Sequence, residues 1–174
     1  MKTTWRKPDL AKLTEYQRSY VNLVPEGELP QILEKNMQET ISMLSVLPQE
    51  KLSYRYAPGK WSIPQILLHI TDTERIFSYR ILCIARGDKT PLPGFEENDY
   101  AAASRADERS FSSVVQEFTA VRRATIELFK NLDAEMRQRT GISNGREISV
   151  LALCFMITGH GMHHLRVMRE KYLS

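Results

Sequence analysis

Apolar residues recur at helical spacing in five stretches of this chain. Residues 9–24, DLAKLTEYQRSYVNLV, place Leu13, Tyr16, Tyr20 and Leu23 on one side of a short helix. From Leu29 to Leu47 a stripe of Leu29, Leu33, Met37, Ile41 and Leu44 predicts a long amphipathic helix. Pro48 ends it, because a residue before proline is steered away from the helical region. The next long helix runs from Ser62 to Arg86. Ser62 and Gln65 form a capping box, Pro64 falls in the first turn where its missing N–H costs little, and Gly87 suits the C-terminal stop. Ser110 to Leu132 repeats the pattern with Phe111, Val114, Val115, Phe118, Val121, Thr125, Leu128 and Leu132 on one face.

The last helix is expected from Ser149, a residue suited to an N-cap, to Lys171. Its first two turns, VLALCFMI, are apolar on every side, which buries that half. Its end carries Arg166, Arg169 and Lys171, cations that suit a helix C-terminus. These spacings predict an all-α four-helix bundle with a short additional N-terminal helix, one domain over residues 1–174. Residues 1–8 read as a tail, and PEGELP as a turn in which Pro30 opens the next helix. Residues 48–61, 88–109 and 133–148 read as connections, the last with the turn signal Asn144-Gly145. The connection at 88–109 holds PLPGFEEND and is longer than a bundle needs; such loops often pack over a site. No segment shows sustained strand alternation.

Composition narrows the partners. The net charge is +3, with bases and acids interleaved, so neither a nucleic-acid stripe nor a polybasic membrane patch is expected. The longest apolar run is about eight residues, short of the roughly 18 that suggest a membrane span. The opening MKTTWRKPD lacks the apolar core of a secretory signal, so the cytoplasm is the expected location. A small-molecule substrate is the expected partner. Cys83 and Cys154 lie in apolar helical runs and read as reduced core thiols.

The candidate chemistry lies in four histidines. His160 and His164 are one turn apart and share a helix face, the spacing by which one helix offers two imidazoles to one cation. The same spacing also occurs in simple polar patches, and His160 with His163 at i,i+3 could chelate instead. His163 reads as the one beside the site or facing solvent. A third ligand must come from another helix, where His69 is the only remaining histidine. Three neutral imidazoles leave a divalent cation its net charge and open coordination positions, and zinc, nickel and iron(II) all suit them.

Two familiar metal patterns are absent. The insert Gly161-Met162-His163 has no glutamate where H-E-x-x-H requires one. No histidine has a glutamate three residues before it, as a carboxylate di-iron bundle requires. Asp72 or Glu74 could orient a ligand imidazole, or could pair with Arg75 or Arg80 on the surface. Trp61 reads as an anchor before its helix more than as a substrate platform. Tyr54, Tyr56, Phe95 and Tyr100 are loop aromatics that could wall a pocket.

Three segments together, YAPGKWSIPQILLHITDTERIFSYRILCIARGD, TPLPGFEENDY and ITGHGMHHLRVMREKY, resemble the DinB-like superfamily and most closely its YfiT-type members, described as metal-dependent hydrolases. The similarity runs from about Pro25 to the C-terminus. It implies a four-helix bundle with a short extra helix, commonly a homodimer. It also implies one divalent metal held by His69 from the second bundle helix and by His160 and His164 from the fourth, with His163 left out. Characterised relatives include S-transferases and an isomerase that use low-molecular-weight thiols such as bacillithiol or mycothiol. The resemblance therefore points to thiol-dependent S-transfer, with metal-dependent hydrolysis or metal binding without turnover as the rivals.

Overall fold

The computed structural model describes residues 4–173. Helix α1 spans Glu15–Leu23, α2 Leu29–Ser45, α3 Ile63–Ala85, α4 Glu97–Ala103, α5 Phe111–Lys130, α6 Ala134–Gln138 and α7 Val150–Tyr172. The long helices α2, α5, α3 and α7 pack in that cyclic order, and α1 lies on α7. The start signals read from the sequence are in place. Ser62 and Gln65 cap α3 reciprocally, and the Ser149 hydroxyl accepts from Ala152 N–H; α1 has a capping box of its own, Thr14 with Gln17, and starts later than the expected residue 9.

The expectation of no strands needs correction. Thr140–Ser143 (β1) and Arg146–Ser149 (β2) form an antiparallel hairpin immediately before α7. Its turn residues, Asn144 and Gly145, have φ of 50° and 72°, the left-handed pair that a two-residue hairpin turn demands. Strands of four residues are too short to display an alternation. The hairpin is further held from outside: Leu92 N–H donates to the Ile142 carbonyl at 2.9 Å, and Asn144 N–H donates to the Leu92 carbonyl at 3.0 Å. The long 88–109 connection is thereby tied across the bundle end, and it also contains α4.

The N-terminal tail reading is corrected too, for the part that is described; residues 1–3 lie outside it. Trp5 is buried, its ring 5.8 Å from Phe129 and under the Arg137 guanidinium at 3.8 Å. An indole so placed removes a large apolar area from water.

The core is divided along the bundle axis. One apolar cluster contains Leu33, Ile81, Ile84, Ile126, Phe129 and the stretch Val150–Ile157. The other contains Met37, Ile63, Ile66, Leu67, Leu68, Ile70, Val114, Phe118, Met168 and Tyr172. On each long helix a buried polar side chain stands between the two: Asn36 on α2, Glu74 on α3, Arg122 on α5 and His160 on α7. A polar layer across the middle of a bundle is costly unless each group is paired, so its composition defines where function resides.

Candidate metal centre

Helices α3 and α7 bring His69, His160 and His164 together. His69 Nε2 lies 2.9 Å from His160 Nε2, and His164 Nε2 lies 3.1 Å from it. One ligand nitrogen from each ring falls within 4.8 Å of the others. Metal–imidazole bonds are about 2.0–2.1 Å, which sets neighbouring ligand nitrogens on the order of 3 Å apart. The donor set and its spacing fit a divalent cation. Without one, three nitrogens that can share few protons face one another in a buried place. His163 is turned aside: its ring meets Tyr20 at 5.6 Å and His164 at 4.9 Å edge-on, and it is absent from the convergent set.

Burial keeps the three rings neutral. Desolvation, with a smaller push from His163, brings His69 down to about 4. Desolvation also depresses His160 and His164 well below the ordinary histidine value, helped by the neighbouring histidines. Neutral imidazole is the form that ligates. The sign for stability follows from linkage: between about pH 6.5 and 4 the unfolded chain binds protons that the native rings refuse. The metal-free protein is therefore expected to hold this stability above pH 6.5 and lose it as the pH falls toward 4. Urea melts of metal-free protein at several pH values should show that decline, and a shallower one in His69→Gln. Identical pH slopes for the two proteins would contradict it.

The glycines flanking His160 explain how α7 comes so close to its neighbours. A Cβ at Gly159 would collide with the Tyr20 backbone carbonyl of α1. A Cβ at Gly161 would stand 2.9 Å from both Arg122 Nη2 and Asn36 Oδ1. Glu74, weighed above as a second partner for a histidine or a surface ion, does neither. It is buried, and both its oxygens accept from Arg122 Nε at 2.9 Å. Arg122 Nη1 donates to Asn36 Oδ1 at 2.9 Å. Asp72 makes the surface contact expected of it, with Arg75 at 3.4 Å. Trp61 is half-buried and sets its ring 4.6 Å from that of His69, so it confines that imidazole rather than anchoring the core alone.

A cavity of about 260 Å³ opens beside His69 and His160. Tyr16 and Tyr20 from α1, Thr73, Phe77 and Arg80 from α3, Phe95 and Glu97 from the tied connection, and Asn144 and Arg146 from the hairpin wall it. Of the loop aromatics considered above, Phe95 enters this wall and Tyr100 packs behind it at 5.3 Å. Tyr54 and Tyr56 instead meet Tyr172 edge-on at 5.9 and 5.4 Å. The sequence names Arg80 only as a surface partner for Asp72 or Glu74, whereas it is buried and pairs with neither, and Arg122 is passed over. Both had a signal: Arg80 is three turns beyond His69 on one helix face, and Arg122 interrupts the apolar stripe between Phe118 and Ile126. Tyr16 and Tyr20, expected on one side of a short helix, have a functional setting the sequence did not show: Tyr16 is exposed and the pair share a hydroxyl contact of 3.2 Å at the cavity.

A four-helix bundle in which α3 and α7 converge three imidazoles beside a walled cavity defines a class of helical protein whose donor set fits a divalent cation. The sequence model of the DinB superfamily matches residues 32–168, and the chain belongs to that superfamily. The fold is similar to that of YfiT from Bacillus subtilis, with a TM-score of 0.74 and 16% identity over 95% of this chain and 90% of that chain. YfiT is described as a probable metal-dependent hydrolase with an unusual four-helix bundle topology. No curated protein matches the chain. No helix among the described residues is long and apolar enough to cross a membrane.

Proposed function

We propose that this protein is a metal-dependent enzyme in which His69, His160 and His164 hold one divalent cation, and that it transfers a low-molecular-weight thiol to an electrophile bound in the cavity. The observation that supports this most is the convergence of three neutral imidazole nitrogens, with His69 and His160 also lining the cavity. A cation held there supplies Lewis acidity, lowering the pKa of a thiol or water that reaches it. The chain's residues do the rest. Trp61 and the Tyr20 ring confine His69 and His160. The apolar walls Phe77, Phe95 and Met156 limit water around the substrate. Partial desolvation raises the pKa of both Tyr16 and Tyr20, and because the Tyr20 hydroxyl donates to that of Tyr16, the Tyr16 O–H is the one free to donate to a developing negative charge.

Transfer is preferred to hydrolysis because the two carboxylates nearest His69 in sequence are unavailable as a base. Glu74 is engaged by Arg122, and Asp72 is not in the cavity wall. The thiol must come from outside: among the described residues no cysteine lines the cavity, and burial raises the Cys154 pKa well above its ordinary value. Hydrolysis is the second reading, favoured by the description of YfiT and by Glu97, a carboxylate that does line the cavity.

The test is metal content of the purified native protein. About one equivalent is expected, lost in His69→Ala, His160→Ala and His164→Ala and kept in His163→Ala. A protein that neither retains nor takes up zinc, nickel or iron(II) would refute the metal reading. Glu97→Gln then separates the chemistries: hydrolysis needs the carboxylate, and thiol transfer survives its loss.

A further inference from the structure

Arg80 is 5% exposed, yet among the described residues no carboxylate pairs with it. Its single hydrogen bond is from Nη2 to the Pro93 carbonyl at 2.6 Å. The guanidinium otherwise lies over aromatic rings, 5.2 Å from the Phe77 centroid and 5.9 Å from that of Phe95. A buried cation without a counter-ion is expensive, and native chains retain one chiefly where a ligand completes it. Arg80 forms part of the wall of the cavity that His69 and His160 also line. The contrast with Arg122 is instructive: that second buried guanidinium is matched by Glu74.

Another group in the same wall is also incomplete. Thr73 is 5% exposed and its Oγ1 has no hydrogen-bond partner. Thr73 is one turn beyond His69, and Arg80 is two turns beyond Thr73. The stripe His69, Thr73, Phe77, Arg80 therefore runs along the cavity side of α3. Read along that stripe, the cavity offers a reactive end, a lone hydroxyl, an aromatic side wall and a cation.

We infer that the cavity binds a substrate with an apolar body and one carboxylate, the carboxylate docking on Arg80 while the reacting atom faces the histidine end. A planar guanidinium matches a carboxylate in shape and charge. The wall carries two guanidinium groups, the buried Arg80 and the exposed Arg146, and one carboxylate, Glu97; that balance of one positive charge, with Phe77 and Phe95 beside Arg80, suits one negative charge better than the two of a phosphate ester. The inference deepens the metal-enzyme reading by naming what occupies the far end of the same cavity, and it rests on that reading only for the orientation of the substrate.

The experiment is calorimetric titration of the full-length protein, metal-loaded and metal-free, with 3-phenylpropionate and with its uncharged counterpart 3-phenylpropanamide. The acid is expected to bind about tenfold or more tightly than the amide, the scale of one charge-assisted contact. Arg80→Gln should erase that preference with metal content unchanged, and Arg80→Lys should keep part of it. Equal affinity of acid and amide for the wild type overturns the proposal, and needs no variant to fold. So does failure of the acid to bind at about 10 mM, well above the weak-binding range. A preference seen only with metal bound and untouched by Arg80→Gln also overturns it, because the carboxylate would then be on the metal. A wild type that takes no metal yet prefers the acid refutes the metal reading and leaves the Arg80 site standing. Competition by 3-mercaptopropionate and not by 2-mercaptoethanol assigns the carboxylate to the thiol partner; no competition by either assigns it to the electrophile.

Discussion

Arg122→Ala is expected to cost about 3–5 kcal/mol, the scale for breaking a buried ion pair from one side. Arg122 is wholly buried and Glu74 nearly so, and they meet through Nε and both carboxylate oxygens at 2.9 Å. Removing the guanidinium strands a carboxylate in the core and takes a partner from Asn36 as well. In a chain of this size that loss should lower the melting temperature by roughly 10 °C. The pair need not be better than a hydrophobic substitute, so Glu74→Leu combined with Arg122→Met should recover much of the loss. Urea denaturation of the single and double variants measures both. A cost below about 1 kcal/mol for Arg122→Ala would mean that Glu74 has water to fall back on.

Gly159→Ala should be nearly as damaging, by a different route. The added methyl would meet a backbone carbonyl, that of Tyr20, and not the end of a flexible side chain. Helix α1 must then shift away from α7, and overpacking of this kind costs about 1–3 kcal/mol, occasionally more. The shift would also move Tyr16 and Tyr20 out of the cavity wall. Both a lower melting temperature and weaker ligand binding are expected. Wild-type behaviour in both assays would show that α1 is free to yield at this point.

Much of this arrangement was legible in the sequence because its signals are local. Apolar spacing marked all four long helices, and Ser62, Gln65 and Ser149 marked where two of them start. The histidine trio was legible as well, since one helical turn separates His160 from His164 and His69 was the one candidate left. Pairings across space were not. Glu74 and Arg122 are 48 residues apart, and nothing local says that a charge on α3 will be answered from α5. The hairpin was hidden for another reason. Its strands are held by a turn and by Leu92 from a distant loop, so hydrophobic alternation had no role in specifying it. Trp5 illustrates the same limit: a lone aromatic in a polar segment becomes core only once Phe129 and Arg137 are beside it.

The origin of the cavity's walls has a consequence for how such a protein can diversify. The three imidazoles are carried by α3 and α7, continuous helices whose positions the whole bundle enforces. Phe95, Glu97, Asn144 and Arg146 come from the tied connection and the hairpin turn, segments that can change length or residue without repacking the core. Under the proposed function the histidine trio and the Arg80 end of the cavity thus belong to fixed helices, and the remaining walls to separately mutable segments. Descendants of such a bundle can reshape the body of the cavity by rewriting two loops while inheriting the histidine trio intact.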